Sequence, residues 1–410
     1  MRFQASVKRL GQRLRSVHAQ YAVLASAGVA LAVLVRIRQL PFESFDFIYY
    51  SRVWYQQIAG LGLAAFSQDF GDYNPPHLYL LYLVARALPG LSQVIAVKLV
   101  SIVADFLCAA LVFLIVRLRR QSGNAALLSS LCFLLAPTVV LNGSWWGQSD
   151  SIYAFGVLAS LYGALTGRPW LVTIAFGAAL AFKLQAIFFL PFLLALLIQK
   201  QLSWRHGFAV PVVLLAAVIP AWAAGGSMSS LLTVYLRQAE EYTELTLRAP
   251  TLYALLPSDP DLSHLLFPAG VLLACAGVTV YLILVARSKT PFSRDSLVQL
   301  ALLTVLLLPY LSPRMHERYF FLADVLSIVY AAYVPSGLFV ALLVNLCSAL
   351  SYPTVARDLV PQSWLALAML LALAVVIRRS VTELYPAGAP RHEAAIAAPS
   401  PAPQTPPDLG

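Results

Sequence analysis

Long apolar stretches recur along this chain, and they leave it few folds to choose from. Those at 207–224 and 265–286 hold no charged residue. Backbone buried in hydrocarbon must satisfy its own hydrogen bonds, so such a stretch crosses a membrane as a helix, and a span needs about 20 apolar residues. With 60% hydrophobic and 11% charged residues, the chain has too little polar surface to cover its apolar mass in water; a soluble domain carries about 25% charged residues. Disulfide scaffolds, disordered chains and coiled coils are excluded on the same ground. An all-α polytopic membrane protein is expected. Cys108, Cys132, Cys275 and Cys347 all sit in apolar runs and read as free thiols. The formal charge of +10 suits loops facing anionic lipid, and nucleic acid need not be invoked.

The first run, 21–35, follows Arg2, Lys8, Arg9, Arg13 and Arg15, with no small-residue cleavage pattern after it. It reads as an uncleaved anchor, and 1–19 as a basic cytoplasmic N-terminus. The segment 40–92 is too polar and aromatic to span. It is expected to form a large first extracytoplasmic loop carrying interfacial helices. Charge parity agrees: if the short apolar stretch at 76–88 crossed, the cluster Arg117, Arg119 and Arg120 after the run 94–116 would lie outside. Further spans fall near 124–141, 150–166, 169–182, 184–199, 207–224, 265–286, 296–311, 319–334, 337–352 and 363–378. That makes about twelve transmembrane helices by this reading, with both termini cytoplasmic. Residues 20–380 form one transmembrane domain, and 381–410 a disordered Ala/Pro-rich cytoplasmic tail.

In this topology the polar residues collect on the outer side: Asp46; Asp69, Asp72 and Tyr73; the stretch 142–150 with Asn142, Trp146, Gln148 and Asp150; Lys183 and Gln185; and Arg314, His316, Glu317 and Arg318. Charges at membrane depth cost about 2.5–3.5 kcal/mol each on the insertion scale, so they mark a site by default. Each has a plainer reading. Asp46 could be a solvated interfacial residue, Asp69 and Asp72 turn formers, Trp145 and Trp146 belt residues, Lys183 a snorkelling side chain, and His316 and Glu317 a solvated cap. Asp105 and Asp324 lie deeper in their spans and read as partners of a buried cation. No P-loop, dinucleotide fingerprint, zinc spacing or nucleophile elbow is present, and no soluble domain to bind a nucleotide sugar. Substrates must arrive through the membrane or from the outer side.

Five pieces in order carry a resemblance: Phe45-Asp46 with Trp54 and Gly60; 70–76 running into Tyr79-Leu80-Leu81; 146–150; Phe182-Lys183-Leu184-Gln185 with Pro191; and 316–320. Over residues 40–335 the chain resembles the GT-C superfamily of polytopic glycosyltransferases that take a sugar from a polyprenyl-phosphate carrier. It is most similar to bacterial proteins related to the second GPI mannosyltransferase, and more distantly to the dolichyl-phosphate-glucose glucosyltransferases of asparagine-linked glycosylation. The resemblance implies a GT-C-like fold, a hexose such as mannose or glucose, and Asp46 as catalytic base. Leu184 between Lys183 and Gln185 departs from the family's Lys-Gln pair.

Inverting transfer from a lipid phosphate needs an ionised carboxylate for the acceptor hydroxyl and fixed cations for the departing phosphate. Asp46 is the candidate base. Lys183 and Arg318, helped by Arg314 and His316, are the phosphate ligands. Asp72, Asn142, Gln148, Asp150, Gln185 and Glu317 are expected to hydrogen-bond sugar or acceptor, with Tyr73 or Trp146 stacking on a pyranose face. No divalent metal or other cofactor is expected. The expected partners are membrane lipids, the polyprenyl-phosphate sugar, and a lipid-linked or cell-envelope glycan acceptor. A carrier or flippase for a lipid-linked sugar is the competing reading; it needs the same basic pocket but no base.

Overall fold

The computed structural model describes residues 2–68, 70–71, 73–120, 123–240, 242–352 and 359–386, with 2–19 and 239–240 given by their backbone alone. Asp69, Asp72 and the tail from 387 onward lie outside the described residues. Fifteen helices carry the described fold: α1 (Arg2–Gln39), α2 (Arg52–Leu61), α3 (Pro75–Ala87), α4 (Gln93–Arg119), α5 (Gly123–Leu135), α6 (Asp150–Leu165), α7 (Pro169–Phe182), α8 (Leu190–Ile198), α9 (Ala209–Ala223), α10 (Met228–Glu240), α11 (Pro260–Arg287), α12 (Arg294–Leu311), α13 (Phe321–Tyr333), α14 (Leu338–Ser351) and α15 (Gln362–Leu384). One two-residue parallel pair, β1 (Thr246–Leu247) beside β2 (Met315–His316), is the strand structure among the described residues.

Among the described residues, six helices are long and apolar enough to cross a membrane: α1 from Gln20, α4, Trp204–Ala223 (which ends in α9), α11, α12 and α15. The pair Gly123–Leu135 and Pro137–Trp146, bent by 47°, makes a possible seventh. The count of about twelve expected from sequence is therefore higher than length and composition return. Turns at Gly167-Arg168 and at Lys183 cut the apolar sequence into shorter helices, Asp150–Leu165, Pro169–Phe182 and Leu184–Ile198, and Pro335–Ser351 is another. Among its described residues the segment 40–92 holds α2 and α3 and no span-length helix, in line with its polar composition. The chain is helical from Arg2 into the first span, and α15 continues to Leu384, so residues 381–384, assigned to the tail, are helical.

The exposed surface of α1, α9 and α11 is apolar, with Leu34, Leu215 and Leu272 turned outward, as expected of helices solvated by lipid. Helix α12 is buried along most of its length and centres the main apolar core. Helices α6 and α7 cross closely because Gly156 has no side chain; a Cβ there would lie 2.8 Å from the Ala175 carbonyl oxygen. A second apolar cluster, with Phe47, Trp54, Ile58, Phe66, Leu78 and Val97, holds α2 and α3 against α4. Asp105 has the cation expected of it: Arg36 of α1 donates to Asp105 Oδ2 from Nε (2.9 Å) and Nη2 (2.8 Å), and from Nη1 to the Leu134 carbonyl (2.9 Å). Asp324 instead accepts from Ser348 Oγ at 2.8 Å, and no cation pairs with it among the described residues.

Candidate active site

Pro137 ends α5 and starts a wider helical turn over Val140–Trp146, which Gly147 closes in the left-handed region at φ +81°. That backbone favours glycine, and it turns the chain so that the Gln148 N–H donates to the Asn142 carbonyl at 2.9 Å. The start of the 40–92 segment lies on this turn. Phe42 stacks on Trp145 with ring centroids 3.7 Å apart, and Ser44 Oγ donates to the Trp146 carbonyl at 2.6 Å. Lys98, fully buried on α4, donates from Nζ to the carbonyls of Gln39 (2.9 Å) and Phe42 (2.6 Å) and packs against Gly147. It supplies charge and donors to carbonyls at the end of α1, where no helical N–H follows. These contacts carry Asp46 to Gln148, whose Nε2 donates to Asp46 Oδ2, while Tyr73 O–H donates to Gln148 Oε1 at 2.9 Å.

The opposite wall forms where α7 stops. Lys183 is extended (φ −154°, ψ 135°) between Phe182 and the 3₁₀ turn Leu184–Phe189. Asn74 Nδ2 donates to the Ala181 carbonyl at 2.9 Å, and Tyr235 O–H to the Leu180 carbonyl, fixing this end from two sides. Lys183 is 4% exposed and ion-paired with Asp150. Asp150 in turn accepts from Asn142 Nδ2 at 2.5 Å, and the rings of Tyr73 and Tyr153 lie 5.3 and 6.0 Å from the ammonium. The third wall is the segment that β1 holds against β2, with Arg314 N donating to the Leu245 carbonyl. Arg318 Nη1 lies 3.6 Å from Asp46 Oδ2 and 3.7 Å from Glu317 Oε1. Its guanidinium sits 5.6 Å from the Trp146 ring centroid.

Between these walls is a cavity of about 240 Å³ lined by Asp46, Tyr73, Gln148, Lys183, Gln185, His316 and Arg318 together with Phe45, Tyr50, Ser51, Trp54, Gln238, Tyr242 and Tyr319. Sequence reasoning singled out the first seven. Phe45, Trp54 and Tyr319 belong to the resembling pieces without a role of their own. Tyr50, Ser51, Gln238 and Tyr242 were not singled out; Gln238 comes from α10, whose apolar positions Leu231, Val234 and Tyr235 were the available signal. Trp146, Asp150 and Glu317 stand behind the wall, touching Lys183 or Arg318 and not the cavity, and Asn142 stands one step further back, on Asp150. Arg314 turns away: its guanidinium lies 3.9 Å over the Phe267 ring. Asp72 is outside the described residues.

Burial, and then the cations Arg318 and Lys183, press the His316 pKa down to about 2, so its imidazole is neutral. Burial raises Glu317 to about 7 against the pull of Arg318. Buried His316 Nε2 and Arg318 Nε have no hydrogen-bond partner among the described residues. The unpartnered Arg318 Nε–H suits an oxygen-rich ligand.

The architecture is that of a membrane glycosyltransferase of GT-C fold. It is similar to ArnT from Cupriavidus metallidurans bound to undecaprenyl phosphate, with 16% identity over 89% of this chain and 74% of that one and a TM-score of 0.55. The apo form of ArnT compares at 15% identity over 90% and 78%, also with a TM-score of 0.55. The profile of glycosyltransferase family 87 matches residues 73–313, and the chain belongs to that family. No curated protein matches it.

Proposed function

We propose that this chain transfers a hexose, mannose or glucose, from a polyprenyl-phosphate carrier to a lipid-linked or cell-envelope acceptor. The site faces the extracytoplasmic side of a bacterial plasma membrane, and both termini are cytoplasmic. One observation carries the reading: a single cavity holds a carboxylate, Asp46, with two cations, buried Lys183 and half-buried Arg318, among aromatic rings. The cations take the donor phosphate, and Tyr73 or Trp54 packs on the sugar. The phosphate competes with Asp46 for Arg318 and so releases the carboxylate. Asp46 then takes the proton of the acceptor's hydroxyl while the hydroxyl oxygen bonds to the anomeric carbon and the bond from that carbon to the phosphate oxygen breaks with inversion. An apolar groove of about 490 Å³ between α8, α11 and α12 suits the prenyl chain. Ile187 in its wall is two residues from Gln185 of the cavity, and the ArnT structure carries a lipid of this class.

The test is a paired assay on Asp46→Asn. Sugar transfer from a polyprenyl-phosphate hexose should fall about 10²–10⁴-fold, the worth of a general base, while donor binding holds. Full transfer activity would remove Asp46 from the role, and a wild type that binds donor but glycosylates no acceptor would turn the reading to a carrier.

A further inference from the structure

The cavity is built for an anion, yet among the described residues its positive charges are already matched. Lys183 is committed to Asp150, and Arg318 Nη1 stands between two carboxylates, 3.6 Å from Asp46 and 3.7 Å from Glu317. Arg248 is also in electrostatic reach of Glu317, so three cations face three carboxylates. A phosphodiester entering this balanced, largely desolvated set adds an uncompensated negative charge, which surroundings of low dielectric resist.

Of the three carboxylates, Glu317 is the one least secured as an anion. Asp46 receives the Gln148 amide, and Asp150 receives the Asn142 amide and the Lys183 ammonium. Glu317 is 4% exposed; apart from its own backbone N–H, its approaches to Arg318 (3.7 Å) and His316 Nδ1 (3.9 Å) are both longer than hydrogen bonds. Tyr352, Arg248 and, across Arg318, Asp46 are the other titratable or charged groups near it. We infer that Glu317 takes up a proton when the donor phosphate enters, so that donor binding and protonation are one linked event. The inference rests on the phosphate-site reading above. Once neutral, Glu317 gives up its hold on Arg318, and the guanidinium turns its full charge on the phosphate. Since Glu317 titrates near pH 7 in the empty site, uptake is partial at pH 7 and most complete just above it. His316, neutral down to about pH 2, takes no part.

The experiment is titration calorimetry of the full chain in detergent with a short-chain polyprenyl-phosphate hexose, whose phosphodiester does not itself titrate near neutrality. Runs at pH 7.5 with a chelator present compare two buffers of different ionisation enthalpy. We expect uptake of about one-half to one proton in wild type, with Kd weakening up to about tenfold per pH unit above neutrality. Glu317→Gln should bind with buffer-independent heat and a flat pH profile. Measurable wild-type binding with the same heat in both buffers overturns the inference, and this comparison stands even if the variant does not fold. No lipid binding by wild type overturns the phosphate-site reading beneath it.

Discussion

Asp150→Asn is the most informative single change at the buried ion pair. Lys183 and Asp150 are 4% and 1% exposed, so the variant leaves an ammonium in the interior without its counter-ion. Breaking one side of such a pair costs about 3–5 kcal/mol. Two tyrosine rings at 5.3 and 6.0 Å recover part of this, since a desolvated cation–π contact is worth up to about 2 kcal/mol. A loss near 3 kcal/mol is expected, read by denaturant or thermal unfolding in detergent. Lys183→Met should cost a similar amount by leaving the carboxylate alone. The double variant Asp150→Leu with Lys183→Met removes both charges and should be more stable than the sum of the singles predicts by about 2 kcal/mol or more. A phosphate-bearing lipid should raise the Tm of Asp150→Asn more than that of wild type, because the orphaned ammonium gains an anion. Additive losses in the cycle would refute the argument, since they would mean that the two groups do not depend on each other.

Lys98→Met removes the donor shared by the Gln39 and Phe42 carbonyls, and should lower stability by about 1–3 kcal/mol for each acceptor left dry; turnover should fall more than donor affinity, because the displaced segment carries Asp46. Gly156→Val drives a side chain into the Ala175 carbonyl and Ala179, and should separate α6 from α7, read as a large drop in Tm and in yield of folded protein. Burial, with the Lys183 charge second, lowers His77 to about 3. The unfolded chain therefore binds this proton first, and stability is lost as pH falls from 6.5 toward 3, by up to about 1.4 kcal/mol per pH unit. His77→Asn should flatten that part of an acid unfolding profile.

The sequence was most legible where polarity and setting disagree. Asp46 and Lys183 are charges between apolar or aromatic neighbours, Arg318 belongs to a charged cluster at the mouth of a span, and all three reach the cavity. Gln238 and Tyr242 were not, because polar residues on and just after an amphipathic helix look like an ordinary wet face. Arg314 and Arg318 stand four residues apart and look alike in sequence. A left-handed backbone at Arg314, φ +60°, sends it to Phe267, and nothing in composition foretells that turn. Helix lengths were less legible than helix positions, since a break at a single residue such as Lys183 depends on the partners that hold it extended. The roles of Asn142 and Asp150 behind the wall depend on tertiary pairs such as Asp150 with Lys183, 33 residues away, which no local pattern reveals.

Arg36 also bears on how the protein is made. It closes the first span, yet beyond the Ala32 carbonyl of its own helix its partners in the folded protein come 69 and 98 residues later, at Asp105 and Leu134. A chain threaded into the bilayer from its N-terminus therefore carries a guanidinium without its counter-ion near the end of its first helix until α4 is made. The first helix must stay at the aqueous boundary, or be sheltered by the insertion machinery, until Asp105 joins it. Replacing Asp105 would then be felt first as a failure of biogenesis, with Arg36 left outside and the first helix undocked, before any sugar is bound.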